Sequence, residues 1–312
     1  MSAQLQLVNV SKSYDMNGRT FNVLKDVNLE VNRGSVTSIL GPSQCGKSTL
    51  CKVMGGMEKP SFGRIFYEGR ELTRSSPSIA ITFHDGSLFP WFTIRKNVEL
   101  GLTIRREPKT QIKKKVDLYL KFFELEPYEN CYPKDLPEIL QYRVGLARSL
   151  AVEPNVLLLD DPFKAMDERS AEEMRKILEQ LHSKKNTTLV ITTSNVSEGL
   201  KMADEVVVLS SLPSTVKVRA ALPPKVDRDE FGLVTLRDKI LDMMDESIKK
   251  AEEALVNPLI YDDLKRCFSD LWKDTENTML TVRGDYLKGL DILKRIEQAE
   301  ARSNGKASTP EA

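Results

Sequence analysis

Residues Gly41-Pro42-Ser43-Gln44-Cys45-Gly46-Lys47-Ser48 carry the spacing G-x-x-x-x-G-K-[ST], directly after Val36-Thr37-Ser38-Ile39-Leu40, which reads as a short buried strand. Strand, glycine loop and helix follow one another in the order that a phosphate-binding loop requires, an order that a chance glycine turn does not demand. The glycines let the backbone turn its N–H groups around phosphates. The helix opening at Lys47-Ser48-Thr49-Leu50 adds its positive N-terminal end. The expected nucleotide contacts are Gly41, Ser43, Gly46, Lys47, Ser48 and Thr49, with Lys47 on the β- and γ-phosphates and Ser48 on Mg²⁺. This predicts binding of a nucleoside triphosphate and leaves hydrolysis open.

Around this loop the chain has 312 residues, 40% of them hydrophobic, enough to bury a full core with room for about two domains. Lysine plus arginine number 46 and aspartate plus glutamate 45, so no charge excess argues for a nucleic-acid partner or an anionic membrane surface. The cysteines (Cys45, Cys51, Cys131, Cys267) are scattered, and Met1-Ser2-Ala3-Gln4 opens neither a signal peptide nor a membrane span, which fits a reduced, cytosolic compartment. Cys45 lies inside the phosphate loop, where a reactive thiolate and a small filler side chain are both conceivable. With only His84 and His182 as histidines, no transition-metal ligand spacing exists.

Upstream of the loop, Leu5, Leu7 and Val10 and then Val27-Asn28-Leu29-Glu30-Val31 alternate about a turn at Asn17-Gly18, which predicts an antiparallel β region. Downstream, Val156-Leu157-Leu158-Leu159 and Thr188-Leu189-Val190-Ile191 read as continuously buried strands with helices between them, the pattern of a parallel α/β core. Residues near 111–150 predict a helical insert, and Val206-Val207-Val208-Leu209 the last core strand. The expected domains are a nucleotide-binding domain over 1–212, a proline-marked connector over 213–230, a C-terminal helical region over 231–302 and a disordered tail over 303–312. In the helical region Leu233, Leu236, Ile240, Met244, Ile248, Ala251 and Leu255 form one apolar stripe, and Asn257-Pro258 opens a second helix, together a helical hairpin.

With the loop in place, Leu157-Leu158-Leu159-Asp160-Asp161-Pro162 and the turn reaching Asp167 resemble the magnesium strand and following loop of ABC-type transporter ATPases. The resemblance is closest to the nitrate, sulfonate and taurine importer group. It is carried also by Ser87-Leu88-Phe89-Pro90-Trp91-Phe92, Arg143-Val144-Gly145-Leu146-Ala147-Arg148 and Ala203-Asp204-Glu205-Val206, and covers residues 1 to about 245. It implies a P-loop NTPase core with an antiparallel β subdomain, helical insert and C-terminal helical extension, with ATP and Mg²⁺ as cofactors. By this resemblance Tyr14 stacks on the adenine, Asp160 holds Mg²⁺ through water, Asp161 stands at the general base and Asp167 lies where two such domains meet. It also implies an integral-membrane permease and a second ATP-binding subunit as partners, at the inner face of the membrane.

Four departures from the family pattern stand beside the intact loop. His84 replaces the glutamine that touches magnesium and the membrane partner. The signature that clamps the other subunit's ATP reads Leu136-Pro137-Glu138-Ile139-Leu140-Gln141, so a negative charge and a bulky side chain replace the serine and glycine amides. Asp161 is one methylene shorter than the family's glutamate, and a misplacement of about 1 Å can cost on the order of a hundredfold in rate. Ser194 replaces the switch histidine and brings no cationic help. Three functions follow from these residues: an ATP-binding importer subunit with weak or no hydrolysis and a regulatory or structural role, a working transport motor using Asp161, or an interaction scaffold that kept the fold.

Overall fold

The computed structural model describes residues 3–16, 19–84, 87–164, 166–223 and 230–255. The alternating N-terminal stretches form β1 (Ala3–Met16) and β2 (Arg19–Asn32), paired antiparallel with Leu7 opposite Leu29 and Tyr14 opposite Phe21. β4 (Phe62–Tyr67) joins the other edge of β1 and β5 (Arg70–Glu71) closes the antiparallel sheet in the order β2-β1-β4-β5. Its inner face buries Leu5, Leu7, Val10, Val27, Leu29 and Val31, the apolar half of the alternation.

The second sheet has the order β10-β9-β3-β8-β7-β6. Its central strands β3 (Val36–Leu40), β7 (Val156–Asp160) and β8 (Thr188–Thr193) are buried at every position, as continuous apolar runs require when both faces are covered. β6 (Ile79–Phe83) and β9 (Glu205–Leu209) flank them in parallel. One face meets α1 (Lys47–Met54) and the antiparallel sheet through Ile39, Leu50, Cys51 and Leu158. The other carries the helical insert, α2 (Ile94–Ile104), α3 (Lys109–Phe122) and α4 (Glu138–Ala151), around Val98, Leu120, Phe123, Leu146 and Leu157. Each such apolar side chain contributes roughly 2 kcal/mol on full burial. α5 (Glu168–Lys185) covers the same face, and α6 (Val196–Met202) follows β8.

The stretch expected as a bare connector holds a strand, β10 (Val216–Ala221), antiparallel to β9. Val216, Val218 and Ala220 alternate with the more exposed Lys217, Arg219 and Ala221, so β10 is a half-buried edge strand. Val206–Leu209 is therefore not the last strand of the core. The apolar stripe does become a helix, α7 (Glu230–Leu255), whose Ile240 and Met244 are buried against Leu40, Val196, Leu200 and Val206. The second helix expected from Asn257-Pro258 and the tail over 303–312 lie outside the described residues. The chain divides into two units after Ile248, and the candidate site lies wholly in the first. Among the described residues no helix is long and apolar enough to cross a membrane.

Because β3, β8, β7 and β6 run parallel, their C-terminal ends share one edge. Leu40 is in register with Thr193, Thr192 with Asp160, and Asp160 with Phe83. The residues that follow (Gly41, Ser194, Asp161 and His84) leave the sheet side by side, at the edge where open α/β sheets place their ligands.

Candidate nucleotide-binding site

The loop from Gly41 to Gly46 joins β3 to α1. Gly46 is the N-cap of α1 at φ +99°, a left-handed conformation that glycine alone adopts freely, and a β-carbon there would come within 2.7 Å of Val23 Cγ1. No acidic residue occupies the first turn of α1, so its positive end is left uncompensated. Lys47 is buried and its Nζ donates to the carbonyls of Gly41 at 2.9 Å and Pro42 at 2.7 Å, holding the ammonium inside the loop's curve. Ser43 and Ser48 are exposed on the same loop and helix start, and Thr49 is half-buried.

Cys45 packs inward at 1% exposure, and its carbonyl accepts a hydrogen bond from Ser214 Oγ. Burial pushes its thiol above the usual range, against a smaller pull from Lys47, so the side chain fills space as an unreactive thiol. Of the two readings of Cys45, the filler is the one the geometry supports.

Asp160 ends β7, buried, with Thr192 Oγ1 donating to its Oδ1 at 2.9 Å. Asp161 follows at φ +50°, its backbone N–H bonded to the Thr192 carbonyl and its Oδ1 accepting from Thr193 Oγ1 at 3.0 Å. The same Thr193 hydroxyl accepts from the Asn195 N–H at 3.0 Å. Burial raises the Asp161 carboxyl above its ordinary range; the Thr193 bond and then Lys47 pull it back in part. Thus the Asp161 carboxylate is tied to the end of β8, directly before Ser194. Ser194 itself is half-buried at the end of β8, and His84 half-buried at the end of β6.

Tyr14 stands on β1 beside α1, its hydroxyl next to Thr49 and donating to Glu58 Oε2 at 2.5 Å. Asp167 caps α5, accepting from Ser170 N–H at 2.9 Å. α5 and α6 are joined by a buried ion pair between Arg175 and Glu198, which links the helix after Asp167 to the helix after Ser194.

The segment in the signature position opens α4 behind Pro137, with Glu138 in the first turn and no side-chain cap. Gln141 Nε2 bonds back to the Leu136 carbonyl at 2.9 Å. One turn on, Tyr142 is buried, and burial together with the charges of Asp160 and Asp161 holds its hydroxyl protonated well above the usual range.

A glycine loop wrapped around a lysine, opening a helix and flanked by two sheet-end carboxylates, is matched by sequence comparison. Residues 24–164 fit the family described as ABC transporter. A probable sulfate/thiosulfate import ATP-binding protein of Chlorella vulgaris is 41% identical over 206 residues, 65% of this chain and 86% of that protein. The chain belongs to the ABC transporter ATP-binding family. An aliphatic sulfonates import ATP-binding protein of Bacillus cereus is 30% identical over 76% of this chain and 94% of its own. Among solved structures, a dimeric ATP-binding cassette in a post-hydrolysis state with ADP and Pi superposes with a TM-score of 0.65 at 28% identity, covering 70% of this chain and 99% of that one.

Within this ABC fold the sequence names most of the residues at the sheet edge but not Thr192 or Thr193, and it does not point to Glu58 beside Tyr14. Thr192 and Thr193 carry no motif of their own. Glu58 lies 44 residues from Tyr14 along the chain, and nothing local points from one to the other.

Proposed function

We propose that this chain is the ATP-binding subunit of a sulfate- or sulfonate-type ABC importer that holds Mg²⁺ and ATP at its own phosphate loop, hydrolyses ATP weakly or not at all, and serves a regulatory or structural role. The observation that carries this reading is one edge holding two opposite designs: an open, lysine-filled loop at α1, and a base-position carboxylate turned onto Thr193. The donor set suits the cofactors. Ser48 and Asp160 offer the hard oxygen ligands that Mg²⁺ prefers, whereas the imidazole of His84 fits better through water than directly. When bound, the ion neutralises phosphate charge and fixes the phosphate geometry. In this reading Gly41, Ser43, Gly46, Lys47 and Thr49 hold the phosphates, and Tyr14 the base.

Asp161, shorter than glutamate and engaged by Thr193, is the weak candidate base, and Ser194 can offer one hydrogen bond without charge. Glu138 at the head of α4 repels the phosphate that a second ATP-binding subunit would present, so the subunit contact through Asp167 forms without a strong clamp. A membrane permease at the inner face of the membrane completes the assembly. The test is ATP binding and steady-state hydrolysis measured together on the purified chain with Mg²⁺. Micromolar binding that Lys47→Ala abolishes, without turnover, is the expected result; clear turnover would make this a motor, and no binding would leave a scaffold.

A further inference from the structure

Tyr14 is held by polar contacts as well as by packing against the core. Its hydroxyl donates to Glu58 Oε2 at 2.5 Å. Lys12 Nζ lies 4.8 Å from the ring centroid over one face, and the same ammonium is 3.3 Å from Glu58 Oε2 and donates to the Lys59 carbonyl at 3.0 Å. Lys52 closes the set from the other carboxylate oxygen at 3.6 Å. Glu58 is fixed in turn by the end of α1. Gly55 caps the helix, Gly56 turns the chain at φ +68° where a β-carbon would meet the Arg74 carbonyl at 2.8 Å, and the Met57 N–H bonds back to the Lys52 carbonyl at 2.9 Å. Helix α1 therefore carries the phosphate loop at its first residue and the anchor of Tyr14 just past its last. The Lys12 and Glu58 side chains expose only 15% and 25% of their surface, so these contacts are partly shielded from water.

We propose that Glu58, with Lys12, is a positioning group that sets the Tyr14 ring as a one-sided shelf for the purine base, at a fixed distance from the phosphate loop along α1. Lys12 stands over one face of the ring, the ring also packs against the core that holds Val23 and Leu50, and the base would take the face away from Lys12. The bond to Glu58 removes the ring's rotational freedom before the ligand arrives, and such preorganisation raises affinity by cutting the ordering cost of binding. This rests on the reading of Tyr14 as the base contact.

Preorganisation and simple electrostatics predict opposite signs for the loss of Glu58. Removing the Glu58 carboxylate frees Lys12 and Lys52 to attract an anion, so through charge alone Glu58→Ala would tighten nucleotide binding. Preorganisation predicts the opposite. Glu58→Ala should weaken ATP binding about fivefold, the size of one net hydrogen bond, while inorganic tripolyphosphate, which has no base, binds at least as well as to the wild type. Tyr14→Phe keeps the ring, loses the hydroxyl and should show the same selective loss. The double variant should be no weaker than the worse single one, because both remove one interaction. Glu58→Gln keeps an acceptor oxygen and should stay within about twofold of wild type. Equal losses for ATP and tripolyphosphate, additive losses in the double variant, or unchanged ATP affinity in both single variants would overturn the proposal. If Lys47→Ala also leaves ATP affinity unchanged, it is the nucleotide-site reading itself that has failed.

Discussion

Two helices of this chain begin where the family resemblance implies a phosphate, and their first turns differ. α1 starts from a left-handed glycine, carries no acid in its first turn and encloses a buried lysine. α4 starts from a proline and places Glu138 in its first turn, and neither helix has a side-chain cap. A helix N-terminus holds a fixed positive end that either an external anion or the chain's own carboxylate can compensate. At α1 that end is left for a ligand. At α4 an acidic residue, Glu138, stands in the first turn, which is the placement that a helix N-terminus favours. On the proposed function, giving up a phosphate clamp here need not cost fold stability, since glutamate and isoleucine have higher helix propensity than the glycines of the family pattern.

The largest expected effect breaks the stronger side of this contrast. Lys47→Ala should lower ATP affinity by about a hundredfold, as removal of charge-assisted hydrogen bonds does, while Glu138→Ala leaves it within about twofold; titration calorimetry on both variants measures this. Similar losses in the two would mean that the helix ends are not differently used. Next in size is a repair: Pro137→Ser, Glu138→Gly and Ile139→Gly together should strengthen ATP-dependent association of two copies about tenfold, read by sedimentation velocity with and without ATP. The same substitutions put two glycines into the first turn and should cost about 1–2 kcal/mol of stability in urea unfolding. Association that stays indifferent to ATP would locate the defect elsewhere. In the repaired chain, Asp161→Glu should raise steady-state turnover about tenfold by restoring reach to the carboxylate, and no gain would show that Thr193 or the missing switch cation is limiting.

The α1 side of the comparison was legible because its signal is local. Loop, strand and helix start lie within the span from Val36 to Leu50, and the fully buried runs of β7 and β8 announce themselves without alternation. Asp160 and Asp161 were likewise readable as neighbours on one strand end. What the sequence hid was set by partners far along the chain. Thr193 reaches Asp161 across 32 residues, and Glu58 reaches Tyr14 across 44, through side chains whose types carry no pattern. β10 was missed for a different reason. Its alternation is short, mixes valine with lysine and arginine, and follows Leu212-Pro213, so turn chemistry overshadowed a strand that exists because β9 offers it an edge.

The smallest effect concerns Asp161, which the proposed function reads as a weak base. Burial holds its carboxyl above the ordinary range in the folded chain, and a group whose folded value is raised contributes stability that is complete below its unfolded value and lost as pH rises through the folded one. Asparagine at this position stays neutral at every pH and keeps an oxygen for Thr193 Oγ1. Asp161→Asn should therefore match wild type in acid, gain on it as pH rises through the raised folded value, and keep that advantage once the wild-type carboxyl has ionised. Urea unfolding midpoints at acid and neutral pH measure this directly. An advantage for asparagine that appears only toward neutral pH would show that the chain carries an ionised carboxylate at the hydrolytic edge against its own stability. That would tie the residue to the ligand, because a group kept for packing alone would be free to lose its charge. Equal midpoints at both pH values would instead mean that the Thr193 bond and Lys47 fully offset burial, and Asp161 could then be a structural partner of β8 with no chemistry left to perform.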